Sequence, residues 1–232
     1  GPRGRIYLIK QVLEGQEPTR KTQTHLDRCL TCRNCESTCP SGVQYGKLLD
    51  IGRHIVDQKV ERPTAERLQR WALRKGMVSK AFGPALALGR LARPVLPAAL
   101  KAKLARVPRA GKWPTRTHAR KVLMLAGCVQ PVMLPNINAA AARVLDAVGI
   151  QTLITPAAAC CGAVQQHLSD PQGALAQARA NIDAWWPHVE SQQVEAIVTT
   201  ASGCGVMVKD YGHLLRHDPA YAARAAAISA LA

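Results

Sequence analysis

The chain has 232 residues, of which 47% are hydrophobic but only 4% aromatic; Ala, Leu and Val dominate the apolar share, enough for one large or two small domains rich in closely packed helices. Thirty-one Lys and Arg against 15 Asp and Glu leave a formal charge of +16. No apolar run is long enough to span a bilayer and the opening GPRGRIYLIK has no signal-peptide core, so secretion and membrane insertion are not expected.

RIYLIKQVLE, residues 5–14, has helical periodicity and closes at Gly15, and RKTQTHLD predicts a second short helix. The cysteine-rich RCLTCRNCESTCPSG follows. VQYGKLLDIGRHIVDQ then predicts an amphipathic helix, which leaves the cysteines in a loop between helices.

Cys29, Cys32, Cys35 and Cys39 form a C-x2-C-x2-C-x3-C-P run. A loop with a cysteine at every third position can wrap a cubane cluster and supply three of its four corners; at this spacing the last cysteine serves a different cluster. Cys29, Cys32 and Cys35 are therefore expected to hold one [4Fe–4S] cluster and Cys39 to reach toward a second. Zinc prefers C-x2-C pairs a dozen or more residues apart, which this compact quartet is not. His25 beside it reads as a capping or surface residue. The chain begins without Met, and a matching upstream motif, absent here, is expected to complete both clusters; without it the site is expected to be labile.

Residues 62–121 carry sixteen Lys and Arg against the single acid Glu66, whereas the other 172 residues carry fifteen bases and fourteen acids. The basicity belongs to one segment. From Pro63 to Arg120 the pattern predicts short helices broken at prolines 84, 94, 97, 108 and 114, and FGPALALGRLARPVLPAALKAKLARV alternates apolar patches with bases, as suits a helix on anionic lipid. A nucleic-acid-binding module is a remote alternative, because only Trp71, Phe82 and Trp113 are available to stack on bases and no recognition-helix pattern is seen.

Texture changes at Lys121. KVLMLAG, IQTLIT and EAIVTTA predict three strands, with helices across NINAAAARVLDAVG, after Pro171 and from near Gly205, which makes a small parallel α/β unit. Cys128, the Cys160–Cys161 pair and Cys204 each fall just beyond a strand, where parallel sheets build their sites. They are candidate ligands for a metal or a third cluster, set against the alternative of inert core thiols. The fold class expected is α plus α/β: a ferredoxin-type domain over 1–61, a basic helical connector over 62–120 and a cysteine-rich domain over 121–232. Five further histidines, at 118, 167, 188, 213 and 217, show no competing ligand spacing.

GPRGRIYLIKQVLEG, HLDRCLTCRNCESTCPSGVQYGKLLDIGR, AGCVQP and AACCGA resemble the iron–sulfur subunits of bacterial glycolate oxidase, within a wider family with CCG domains that includes heterodisulfide reductase and lactate-utilisation subunits. The resemblance implies two ferredoxin motifs and two CCG domains in the whole protein, this chain being a middle piece with the second motif and the first CCG domain. It implies an electron-transfer subunit, not catalytic alone, that takes electrons from FAD-bearing partner subunits oxidising glycolate to glyoxylate and passes them toward a quinone or another acceptor. A lactate or glycerol 3-phosphate dehydrogenase, or a heterodisulfide reductase-like complex, is the alternative. A cytoplasmic location is expected from clustered cysteines in a chain with no signal-peptide core, and the basic stretch points to peripheral attachment at the inner membrane. Where heterodisulfide reductases have a C-x-x-C pair, Cys204 is followed by Met207, so a five-thiolate cluster is not carried over; a four-thiolate site and a metal-free domain both remain open.

Overall fold

The computed structural model describes residues 1–79, 81–103 and 107–232, and the chain divides into two compact units. One comprises Gly1–Trp71 with Val164–Pro171, the other Ala72–Ala163 with Gln172–Ala232.

The first unit is built from helices α1 (Pro2–Leu13), α2 (Arg20–Asp27), the single turn α3 (Asn34–Ser37), α4 (Tyr45–Lys59) and the start of α5 (Thr64–Gly76). Pro2 begins α1 where a missing N–H costs nothing, and Thr19 caps α2 in a reciprocal pair with Thr22. Ile9, Val12, Leu26, Tyr45, Leu49 and Val56 form the core, with Cys29 and Cys35 packed against it. Helices α1 and α4 approach closely because position 52 is glycine: a Cβ there would lie 2.7 Å from Ile9 Cγ1.

Part of the basic segment is neutralised inside this unit. Arg62 donates to Asp27 at 2.6 Å and also to Asp57, and Arg20 pairs with Glu66. Burial lowers the Arg62 pKa, but the two carboxylates outweigh it and the net shift is upward. Arg70, with burial the main cause and the Arg62 charge next, is shifted down.

Helix α6 (Phe82–Leu91), a 3-10 turn at Arg93–Val95 and α7 (Ala98–Lys103) follow. Pro84, expected to break a helix, instead sits in the first turn of α6, where its lack of an N–H removes no intrahelical bond. The bases Lys80 and Arg106 lie outside the described residues.

A three-stranded parallel sheet organises the second unit. The remaining elements in order are β1 (Arg120–Leu125), α8 (Gln130–Met133), α9 (Pro135–Ala147), β2 (Ile150–Leu153), α10 (Ala163–His167), which belongs almost wholly to the first unit, α11 (Pro171–Glu190), β3 (Ala196–Thr199), α12 (Ser202–Lys209), α13 (Tyr211–Leu214) and α14 (Ala222–Leu231). The strand order is β2–β1–β3, with Arg120 opposite Ile150 and Val122 opposite Ala196. Being central, β1 buries its last four residues in succession, which is why KVLML reads as a continuous apolar run. Leu123, Leu125 and Ile197 pack with Ala174, Ala178, Ile182 and Trp185 of α11 and with Val208, Tyr211 and Ile228. The helix-rich chain with a small parallel sheet is the architecture expected from the sequence. Among the described residues no helix is long and apolar enough to cross a membrane.

Candidate metal centres

The loop after α2 is tightly coiled. Thr31 and Arg33 adopt left-handed backbone, with φ of +56° and +55°, a conformation uncommon for residues other than glycine that surrounding contacts must hold. Arg53 of α4 does much of the holding. Its side chain is buried and donates from Nη2 to the carbonyls of Cys29 at 2.7 Å and Leu26 at 2.9 Å, from Nε to Leu26 at 3.2 Å, and from Nη1 to Thr31 Oγ1 at 3.0 Å. All of these acceptors are neutral, so a positive charge lies beneath the loop.

Cys29 begins the loop, Cys32 is exposed, Cys35 lies within α3, and Cys39 follows α3 with its N–H donating to Glu36 O at 3.1 Å. Glu36 in turn accepts from the Gly46 N–H, bracing α3 against the start of α4. Burial pushes the Cys35 thiol pKa up, with Cys29, Glu36 and Cys32 adding to the rise. The Thr31 N–H donates to Cys29 Sγ at 3.4 Å. Tyr45 is buried under this loop; its pKa is driven far up by burial first and by the neighbouring Cys29 thiol second.

At the carboxyl ends of the three strands, four sulfurs lie side by side. Cys128 is hydrogen-bonded to Cys160, Cys160 to Cys161, and the Cys161 thiol donates to Cys204 Sγ at 3.2 Å. The charge preference runs along this chain. Cys128 is raised most, by its bond to Cys160 and by burial. For Cys160 the bond from Cys128 works downward, but its own bond to Cys161 and burial carry it up to about 11. Cys161, helped by Cys160 but donating to Cys204 and buried, reaches about 12. Cys204, the accepting end, is lowered by the Cys161 bond against the effect of burial. It stands in the first turn of α12, which begins at Ser202 and not near Gly205 as expected; a helix N-terminus favours a thiolate.

Two buried polar networks position these sulfurs. Asn181 on α11 donates to Cys160 O at 2.8 Å and to Tyr211 Oη at 2.9 Å, while the Tyr211 hydroxyl donates to Cys161 O at 2.8 Å. Asn138 on α9 donates to Ala126 O at 2.9 Å and accepts from Thr200 Oγ1 at 2.6 Å and Gln130 Nε2 at 2.8 Å, tying the loop after β1 to the loop after β3. Gly162, with φ of +91°, lets the chain leave the cysteine pair under Ala174. Among the described residues no three His, Cys, Asp or Glu side chains already stand in coordinating positions. The case for a metal at either set is the soft, all-sulfur donor chemistry and the backbone that gathers it.

Residues 122–209 match the family of cysteine-rich CCG domains. The matched stretch contains all four of the strand-end cysteines, Cys128, Cys160, Cys161 and Cys204. All of the chain is 57% identical to part of the glycolate oxidase iron–sulfur subunit of Escherichia coli (strain K12), covering 57% of that protein. The probable glycolate oxidase iron–sulfur subunit of Bacillus subtilis (strain 168) is 32% identical over 97% of the chain and 56% of its own length. Lactate utilization protein A of Bacillus pumilus (strain SAFR-032) is 26% identical over 47% of the chain and 43% of its own. The chain thus spans about half the length of the curated relatives it matches, and its motif-level resemblance to glycolate oxidase iron–sulfur subunits is borne out. No solved structure matches it.

Sequence reasoning missed the residues that frame both cysteine sets. In the CCG domain these are Asn138, Asn181 and Tyr211, and under the first loop Arg53 and Tyr45. A signal was present: Asn181 interrupts the small and apolar stripe of Ala174, Ala178, Ile182 and Trp185, and Arg53 lies on the same face of α4 as Tyr45, Leu49 and Val56. A polar group on a buried face must find partners.

Proposed function

We propose that this chain is the electron-carrying part of a glycolate-oxidising complex. Its first 61 residues act as half of a ferredoxin-type domain, in which Cys29, Cys32 and Cys35 hold one [4Fe–4S] cluster and Cys39 serves a second. Residues 62–120 are the connector, and 121–232 carry the CCG site, where Cys128, Cys160, Cys161 and Cys204 are ligands for a third cluster or a metal. When bound, an iron–sulfur cluster takes up and releases one electron at a time. Oxidation of glycolate to glyoxylate releases two electrons and two protons, so a flavin such as FAD in a partner subunit accepts the pair and this chain carries the electrons away singly toward a quinone or another acceptor.

The protein's own residues prepare both sites. Arg53 and the left-handed Thr31 and Arg33 hold the first loop in its coil, and Arg53 supplies a positive charge against the anionic group that three thiolates and a cluster make together. In the CCG domain Asn181 and Tyr211 hold the peptides of Cys160 and Cys161, so that the two sulfurs meet Cys128 on one side and Cys204 on the other. The buried hydroxyl and the buried guanidinium beside Cys29 both suit a resident anion there, and they are the structural fit of the loop to its cluster.

The observation that carries this reading is the C-x2-C-x2-C-x3-C-P loop, within a chain whose full length is related to iron–sulfur subunits of glycolate oxidase. Similarity of 47% of the chain to lactate utilization protein A supports the same electron-carrying role for a different hydroxyacid as the second reading. We also place the protein in the cytoplasm, its basic connector on an anionic membrane surface near the quinone. Anaerobic iron and acid-labile sulfide quantification with low-temperature EPR, on the parent and on Cys32→Ser, Cys128→Ser and Cys161→Ser variants, tests the assignment. Loss of iron in Cys32→Ser is expected, and loss in the two CCG variants makes that domain a redox centre. A parent whose iron is indifferent to Cys32→Ser rejects the first site.

A further inference from the structure

Tyr45 is 3% exposed, and its hydroxyl oxygen is fully buried. The hydroxyl faces the Cys29 thiol, and its hydrogen bond with that sulfur is, after burial, the main cause of its raised pKa; no nitrogen or oxygen partner is found for it among the described residues. Tyr45 belongs to the small core against which Cys29 and Cys35 pack. Phenylalanine would fill the same space but could not set an O–H against Cys29 Sγ.

Arg53, two turns further along the same helix, gives an independent indication of what the loop receives. Its charge is buried against three carbonyls and a hydroxyl, all on Leu26–Thr31. A cation buried with no anionic partner among these acceptors is costly, and an anionic group seated in the loop above would offset that cost. The same α4 face therefore offers a cation and a buried proton donor to the cysteine loop.

We propose that the Tyr45 hydroxyl donates a hydrogen bond to a sulfur of the cluster held by Cys29, Cys32 and Cys35, and that this bond raises the midpoint potential of that cluster. The inference rests on the cluster assignment made above. Its sign follows from charge. Reduction adds one electron and no proton, the sulfurs become more negative, and a hydrogen bond to them strengthens.

The test is an EPR-monitored redox titration of the anaerobically reconstituted full chain, with iron and sulfide measured on every sample. Tyr45→Phe is expected to keep the parent's iron content and to show about a tenfold lower ratio of reduced to oxidised cluster at the parent's midpoint, a shift of about 59 mV to more negative potential for a one-electron couple. A second sample carries 3-fluorotyrosine at position 45, a more acidic donor of nearly the same shape, and is expected to move the midpoint the opposite way. If either sample keeps its cluster and leaves the midpoint unchanged, Tyr45 is packing alone and the proposal falls. If Tyr45→Phe loses iron, the fluorinated sample decides by the same criterion. A parent from which Cys32→Ser removes no iron overturns the cluster assignment itself, and with it the proposal, by a result distinct from a cluster whose potential ignores Tyr45.

Discussion

Gly162 and Tyr211 show how a single side chain controls the paired cysteines. A Cβ at position 162 would lie 2.9 Å from the Ala174 carbonyl oxygen, a backbone atom that cannot swing aside, and the residue sits at φ +91°. Gly162→Ala is expected to lower stability by on the order of 3 kcal/mol through left-handed strain plus overpacking, measurable by urea unfolding. Tyr211→Phe removes the donor to Cys161 O and the acceptor for Asn181, and about 1–2 kcal/mol should be lost in the same assay. Cys204 offers a pH test in the metal-free protein. Its pKa is lowered by the Cys161 hydrogen bond, so its thiolate appears below the pH at which an ordinary thiol ionises, whereas Cys160 at about 11 and Cys161 at about 12 remain protonated. Iodoacetamide labelling, quenched across a pH series and mapped by mass spectrometry, should therefore reach Cys204 first as pH rises. Labelling that begins at Cys160 or Cys161 contradicts the order of the hydrogen-bonded chain.

Among the elements, α4 carries the first unit. One side of it receives α1 through the Gly52–Ile9 approach, another holds the C-terminus of α2 and the cysteine loop through Arg53. Arg53→Met keeps much of the side-chain length but leaves the carbonyls of Leu26 and Cys29 without this donor, and it should cost about 3 kcal/mol. Heat or urea should then unfold the helical unit earlier while Tyr211-side contacts of the CCG domain keep their parental midpoint; a variant as stable as the parent makes Arg53 dispensable to the loop. The long elements were legible beforehand because their signals are local. The apolar run of β1, the periodicity of α9 and the Pro171 start of α11 depend on neighbours a few residues away. Single-turn α3 and α13 were not legible, since four residues contain barely one period. Pro84 misled for a positional reason, as a proline that ends one helix can equally begin the next.

For the whole molecule the question is where the charge of the basic segment is used. Arg62 and Arg70 face Asp27 inside the helical unit, so they contribute little to any external surface. Arg93, Arg109 and Lys112 are exposed, and Arg90, Arg93 and Lys101 line a shallow hollow beside Pro94. Changing Arg93, Lys101, Arg109 and Lys112 together to Gln should weaken sedimentation with phosphatidylserine vesicles roughly a thousandfold at low salt, given about 1 kcal/mol per base near an anionic surface. Undiminished sedimentation would show that the membrane is not what these bases meet. Two of the histidines hold acids inside the fold: His118 bonds Asp146 at 2.8 Å and His167 bonds Asp50 at 3.3 Å.

The sequence by itself determined where the two sets of cysteines fall, the order of strands and long helices along the chain, and the segment that holds the excess positive charge, because spacing, periodicity and composition act over short stretches of chain. Only the tertiary structure decided which polar side chains stand under those sulfurs. Arg53 reaches Cys29 O from 24 residues away, Tyr211 reaches Cys161 O from 50, and the thiols of Cys161 and Cys204 meet across 43. Such pairings follow from helices and strands brought together by core packing. A buried donor's partner is set by that packing and by the cost of leaving it unpaired, neither of which is written in the residues beside it.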